Sequence, residues 1–92
     1  MIMMDLEGLR INKEKQRFEL ELHGTVAYIT YEIVEGVYYL SHTIVPKEIG
    51  GKGVGSRLVK QTLDYLLENN IKYLPICSFI VAFVVKHKEY KI

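Results

Sequence analysis

The sequence predicts an α/β domain: an antiparallel meander of about four strands, then a helix, a parallel strand and a C-terminal helix. Three features carry this reading. Apolar and polar residues alternate in short runs up to Val45, with turn signals between the runs. The period changes to that of a helix between Gly53 and Asn70. A short strand-like run, Ile71 to Cys77, then follows.

Leu9-Arg10-Ile11-Asn12 and Arg17-Phe18-Glu19-Leu20-Glu21-Leu22 each alternate apolar with polar residues, as strands do when one face is covered and the other wet, and Glu14-Lys15-Gln16 joins them as a hairpin. His23-Gly24 is a second turn signal. Thr25 to Val34 is rich in β-branched and aromatic residues, and Glu35-Gly36 separates it from a fourth run, Val37 to Val45. In the helical stretch Val54, Leu58, Val59, Leu63, Leu66 and Leu67 share a face, with Lys60, Gln61, Asp64 and Glu68 opposite. Asn69-Asn70 ends that helix, Ile71 to Cys77 returns as a strand, and Ser78 is placed to cap a second helix running to about His87. A strand, crossover helix and strand of this length form a right-handed parallel βαβ unit.

Ninety-two residues form one small domain, 1–92, and leave no room for a second. A formal net charge of +1 provides no general attraction to nucleic acid or anionic lipid, so any anion site must be local. The single cysteine, Cys77, excludes an internal disulfide framework and a cysteine-rich zinc site; no metal is expected. The start of the chain lacks a signal-peptide pattern, and a cytoplasmic location is the expectation. The longest apolar-rich run, Tyr73 to Val85, is bounded by Lys72 and Lys86, broken by Pro75, and shorter than the ~20 residues of a membrane span.

Four of the seven glycines, Gly50, Gly51, Gly53 and Gly55, fall in six consecutive positions between the fourth strand and the helix, a clustering that requires a local explanation. Glycines let the main chain turn sharply and approach a ligand closely, and the first helical turn offers unpaired N–H groups and a partial positive charge. Such a junction reads as a phosphate cradle, with Lys52 able to add a charge-assisted contact. The plainer alternative is a tight helix entry, for which one or two glycines suffice. The spacing does not match Gly-x-x-x-x-Gly-Lys-Ser/Thr, because Lys52 precedes the final glycines, and there is no Gly-x-Gly-x-x-Gly with a downstream acid.

Two further residues are chemical candidates. Cys77 falls between the returning strand and the second helix, where an open parallel sheet places its ligand and a helix N-terminus lowers a thiol's pKa; the competing reading is a small buried hydrophobe. His42 lies on the strand entering the cradle and suits a proton acceptor, or equally a structural histidine hydrogen-bonded across the sheet. Alternation turns Ser41 and Thr43 away from His42, which argues against a serine triad.

The strand ending His-Thr-Ile-Val-Pro, the Gly-Gly-Lys-Gly-Val-Gly-Ser-Arg-Leu-Val loop and helix, the Pro-Ile-Cys-Ser-Phe segment and the closing Lys-His-Lys-Glu-Tyr together resemble the small single-domain, Yjdj-type branch of the GNAT acetyltransferase superfamily. The resemblance spans about the whole chain. Its strongest element is the loop, similar to the superfamily's Gln/Arg-x-x-Gly-x-Gly/Ala pyrophosphate signature, with Gly53 and Gly55 as the paired small residues and Gly50 where the long side chain normally stands. The resemblance implies acetyl-coenzyme A as cofactor and co-substrate. It assigns Ile44 and Val45 to the pantetheine arm and Gly50, Gly51, Lys52, Gly53, Val54, Gly55 and Ser56 to the pyrophosphate, with Ser78 joining the cofactor contacts. Cys77 is set to take the acetyl group or to line the pocket beside it, and His42 to accept a proton.

By the same resemblance the acceptor is an amine on a protein, a peptide or a small molecule. Larger members protonate the leaving thiolate with a tyrosine on the last helix, where this sequence has Phe83; Tyr90 lies beyond. They also continue with strands that wall the acceptor site, a wall that a docked acceptor or a homodimer would supply here. The competing classes are a non-catalytic coenzyme A or acyl-coenzyme A sensor, and an interaction protein whose basic end, Lys86 to Lys91, grips an acidic partner.

Overall fold

A computed structural model describes residues 8–51 and 53–91. Five strands, β1 (Leu9–Asn12), β2 (Arg17–Leu22), β3 (Thr25–Val34), β4 (Val37–Ile44) and β5 (Lys72–Pro75), form one sheet in sequential order. The first four are antiparallel neighbours, and β5 runs parallel to β4. Helix α1 (Val54–Glu68) makes the crossover between them, and α2 (Ser78–Lys86) follows β5. Short 3₁₀ turns, Lys47–Ile49 and Lys88–Tyr90, precede α1 and follow α2.

The hairpins close as the turn residues require. His23-Gly24 and Glu35-Gly36 both have positive φ at each position, 52° and 79° and 52° and 80°, the two-residue geometry whose twist matches that of the strands. The C-terminus of α1 is equally local in origin. Asn70 adopts φ 57°, the Ile71 amide donates to the Leu66 carbonyl at 2.8 Å, and the Asn70 amide donates to Leu67 at 3.1 Å. This pattern satisfies the last carbonyls and turns the chain into β5.

Both helices pack on the same face of the sheet, over a single core that includes Phe18, Leu20, Ile29, Leu40, Leu63 and Ile80. Within α1 the buried stripe is Val54, Leu58, Val59, Thr62, Leu63 and Leu66. Leu67, expected on that face, is 42% exposed. Its place is taken by Thr62, because the helix sits with its 58–62–66 row over the sheet. A second correction concerns α2: its N-cap is Cys77, and Ser78 is the exposed first helical residue. Chain departure from β5 at Ile76 sets that boundary one residue early.

The opposite face carries no helix among the described residues. Glu19 lies there yet is only 3% exposed, because Arg17 (2.7 Å), Arg10 (3.0 Å) and Asn12 (3.1 Å) all donate to its carboxylate. The Arg17 guanidinium also stacks on the Tyr28 ring, 4.0 Å from its centroid. A charged lattice thus shields this side of the β1–β3 ladder.

Candidate functional site

The segment entering α1 is built on glycine conformations. Gly51 and Gly53 have φ of 77° and 75°, and Gly53 is the helix N-cap. A Cβ on either would project into open space. Gly50 differs: it is extended, φ −75°, and its amide donates to the Lys47 carbonyl at 3.2 Å. The first main-chain bond of the helix runs from the Arg57 amide to the Gly53 carbonyl, 3.0 Å. The amides of Val54, Gly55 and Ser56 therefore precede the helical ladder. The first turn holds no acidic side chain to cancel the positive end of the dipole. A hollow of about 540 Å³ opens at this point, lined by Gly50, Gly51, Gly53, Val54, Gly55 and Ser56 together with Val45, Lys47 and Phe79. Lys52, expected to contribute a charge, lies outside the described residues; Lys47 is the described cation on the wall.

The fourth glycine serves a different purpose. A Cβ at Gly55 would stand 2.9 Å from the Phe79 ring and 3.6 Å from Val45. Gly55 thus lets α2 and the end of β4 close in on the first turn of α1, and Phe79 becomes one rim of the hollow.

Beside the hollow the sheet splits. Pairing of β4 with β5 ends at Leu40–Pro75, where the Leu40 carbonyl accepts from both the Ile76 amide (2.9 Å) and the Cys77 amide (3.1 Å). β4 continues to Ile44 against β3 alone. The split coincides with a bulge: Tyr31 pairs with Leu40 but Thr30 pairs with His42, which leaves Ser41 surplus. Beyond it His42 and Ile44 face the uncovered side, both exposed, and Thr43 turns to the helix side. Ile44 accordingly borders the wedge with its main chain, while Val45 presents its side chain to the hollow.

Thr43 meets Cys77 across the wedge, with Oγ1 and Sγ 3.4 Å apart. Burial raises the thiol's pKa, but the Thr43 hydroxyl and the amides of Ile80, Phe79 and Thr43 favour the thiolate more strongly and hold it below its ordinary value. Thr43 and Cys77 stand two residues before Val45 and Phe79 respectively. The thiol pair and the hollow are therefore successive stations along the same two segments. His42 belongs to the other face and does not meet Cys77. Thr43 and Phe79 were not singled out in the sequence; the legible signal was their two-residue offset from Val45 and Cys77.

Tyr90 is placed elsewhere. It is 5% exposed, its hydroxyl donates to Asp64 Oδ1 at 2.6 Å, and its carbonyl accepts from the Tyr73 hydroxyl at 2.5 Å. Burial and the Asp64 carboxylate push its pKa up. Phe83 lies in the core. Among the described residues no group of three or more His, Cys, Asp or Glu is arranged to hold a metal ion, and no helix is long and apolar enough to cross a membrane.

The family model for the GCN5-related N-acetyltransferase covers residues 17–92. The chain belongs to that family. Protein NATD1 of mouse is 32% identical over 81 residues, covering 83% of this chain and 74% of its own, and zebrafish NATD1 is 32% identical over 89 residues, covering 89% and 81%. The solution structure of a GCN5-like protein from Staphylococcus aureus superposes with a TM-score of 0.66 at 32% identity, over 92% of this chain and 86% of that one. Acetyl transfer from an acyl-coenzyme A is the activity of this N-acetyltransferase family in general, and the mixed five-stranded sheet with its two helices is the family's fold.

Proposed function

We propose that this family member binds acetyl-coenzyme A with the diphosphate at the hollow before α1 and the thioester at the Thr43–Cys77 wedge, and transfers the acetyl group to an amine by way of Cys77. The observation that carries this reading is the junction itself: the amides of Val54, Gly55 and Ser56 at a dipole end, two left-handed glycines and the Lys47 cation line one cavity. The pantetheine arm would pair with the edge of β4 that β5 leaves free after Leu40.

Transfer balances in two steps. The Cys77 thiolate attacks the thioester carbon, the new S–C bond forms as the old one breaks, and coenzyme A leaves as a thiolate that takes up the proton Cys77 released. An amine then attacks the acetyl-cysteine; N–C forms, S–C breaks, and the proton that the amine loses passes to a base. His42, exposed on the uncovered face and out of contact with Cys77, does not reach that proton, so the base is solvent at the open wedge. A covalent route suits a chain whose last helix carries Phe83 and whose Tyr90 is committed to Asp64. The sensor reading rests on that same commitment and is separated by turnover.

Incubation with acetyl-coenzyme A should raise the melting temperature and add one acetyl mass to Cys77. Amines should then release free coenzyme A thiol continuously. Stabilisation without an adduct but with turnover would assign direct transfer; stabilisation without turnover would leave a binding module; no stabilisation would remove the site.

A further inference from the structure

Helix α2 carries apolar side chains on a flank that nothing covers. Ile80, Phe83 and Val84 are buried against the sheet, and Phe79, Ala82 and Lys86 face the seam with α1. Val81 and Val85 fall on the remaining side, which points past β5 because α2 lies over β4 and β5. A helix that is apolar round most of its circumference is normally enclosed. Val85 is 66% exposed; Ile76, at 55%, and Leu74 extend the strip along β5, and Leu67 flanks it at the end of α1. These exposed apolar side chains border one edge of the sheet.

That edge is open in its main chain as well. No strand lies beyond β5 among the described residues. The Leu40 carbonyl accepts from the Ile76 amide, which in a parallel ladder makes the even-numbered residues of β5 the ones bonded to β4. Tyr73 therefore turns both its amide and its carbonyl outward, and Pro75 turns outward a nitrogen that has no hydrogen to donate. An extended peptide would find few donors along such an edge. A second β5 set antiparallel across Tyr73 would exchange both bonds at that residue, and each Leu74 would then cross the aliphatic stem of the second copy's Lys72 on the uncovered face.

We infer that this edge seats a second copy of the chain, in a two-fold dimer that joins the sheets through β5 and packs α2 against α2. The spacing fits that occupant. Because α2 lies over β4 and β5, its axis stands about 5 Å from a two-fold axis beside β5, and the paired helices stand about 10 Å apart, the ordinary separation of packed helices. The strip on both copies buries on the order of 1,000 Å² in total, the lower bound of a specific interface and the scale of a reversible pair. Pro75 ends the ladder after one exchange, and two-fold symmetry closes the assembly at two. The same register sets the second copy's Asn69-Asn70 turn beside Ile76 and so gives the Cys77 wedge an outer wall; this last point rests on the proposed thioester site.

Sedimentation of the full chain without ligand tests the pair. The protein should pass from monomer to dimer as its concentration rises through the micromolar range, and Val81→Glu and Val85→Glu, both at exposed positions, should each weaken the dimer at least about ten-fold. The unaltered chain supplies a second readout: hydrogen exchange at the Tyr73 amide should slow as the protein is concentrated. A monomer throughout, a dimer that survives both substitutions, or a Tyr73 amide whose exchange ignores concentration overturns the inference. For the wall, Val85→Glu should keep its stabilisation by coenzyme A and show a raised KM for the amine. An unchanged KM removes the wall and leaves the dimer, whereas failure of coenzyme A to bind the unaltered chain removes the cradle and the wall together and leaves the dimer to stand on sedimentation.

Discussion

Glu19 and Cys77 are both acids held in a more ionised state than burial alone would allow, by different means. At Glu19 burial raises the pKa, but hydrogen bonds from Arg17, Arg10 and Asn12 outweigh it and leave the carboxyl below its ordinary value. A depressed folded-state pKa contributes stability above the unfolded value, and that contribution is lost as pH falls through the folded one. Acid destabilisation is therefore expected to set in below about pH 4. Glu19→Gln should cost about 1–3 kcal/mol at neutral pH, because two guanidiniums lose their charged acceptor, and should flatten the acid limb. Urea midpoints from neutral to acid pH check both; a variant that retraces the wild-type limb would assign it to other carboxylates. At Cys77 the Thr43 hydroxyl is the largest of the favourable contributions. Alkylation of the thiol should reach half its maximal rate at a lower pH than for free cysteine, and Thr43→Val should move that midpoint upward with little loss of stability. An unmoved midpoint would reduce Thr43 to a packing neighbour. None of this was readable from residue spacing, because it depends on which face each side chain takes after the bulge.

At the scale of elements, the glycine loop separates positions that the sequence presents alike. Gly51 and Gly53 occupy left-handed backbone, where an alanine costs about 1–2 kcal/mol, whereas Gly50 is extended and has room for a Cβ in ordinary contact. Chemical denaturation should accordingly rank Gly53→Ala and Gly51→Ala below Gly50→Ala, which is expected to stay within ~0.5 kcal/mol of wild type. Gly53→Val should in addition abolish coenzyme A binding by filling the hollow. Gly55→Ala tests a different contact: its methyl would push the Phe79 ring, so ligand affinity should fall more than stability. The strand and helix periods, both glycine hairpins and the Asn-Asn stop were legible because local chemistry dictates them. Leu67 was misassigned and Thr62 left out because an apolar stripe fixes a helix face only to within one row of side chains. Tertiary packing selects the row.

For the whole molecule, the far end of the chain is bound to its middle. Tyr90 bridges from the last 3₁₀ turn to Asp64 on α1, and Tyr73 on β5 donates to the Tyr90 main chain. Tyr90→Phe removes a hydrogen bond to a carboxylate and should cost about 1.5–3 kcal/mol; the loss should appear in both thermal and urea unfolding. A cost below ~0.5 kcal/mol would mean that ring packing with Phe83, rather than the hydroxyl, secures this end. The link spans 26 positions and was invisible in the sequence, where Tyr90 stood as one more aromatic near a basic stretch. The split sheet was not legible in residue spacing, since its physical signs are a lost strand pairing and a doubled acceptor at Leu40. Ser41 adds a consequence of its own. Because Leu40 already pairs with Tyr31 and His42 with Thr30, excising Ser41 would close the ladder without a bulge and leave Leu40 and Thr43 toward the helices and His42 away from them. Such a single-codon deletion would iron out the kink beside the opening while sparing the orientation of the imidazole and the hydroxyl, and so isolate what strand curvature alone contributes to the site.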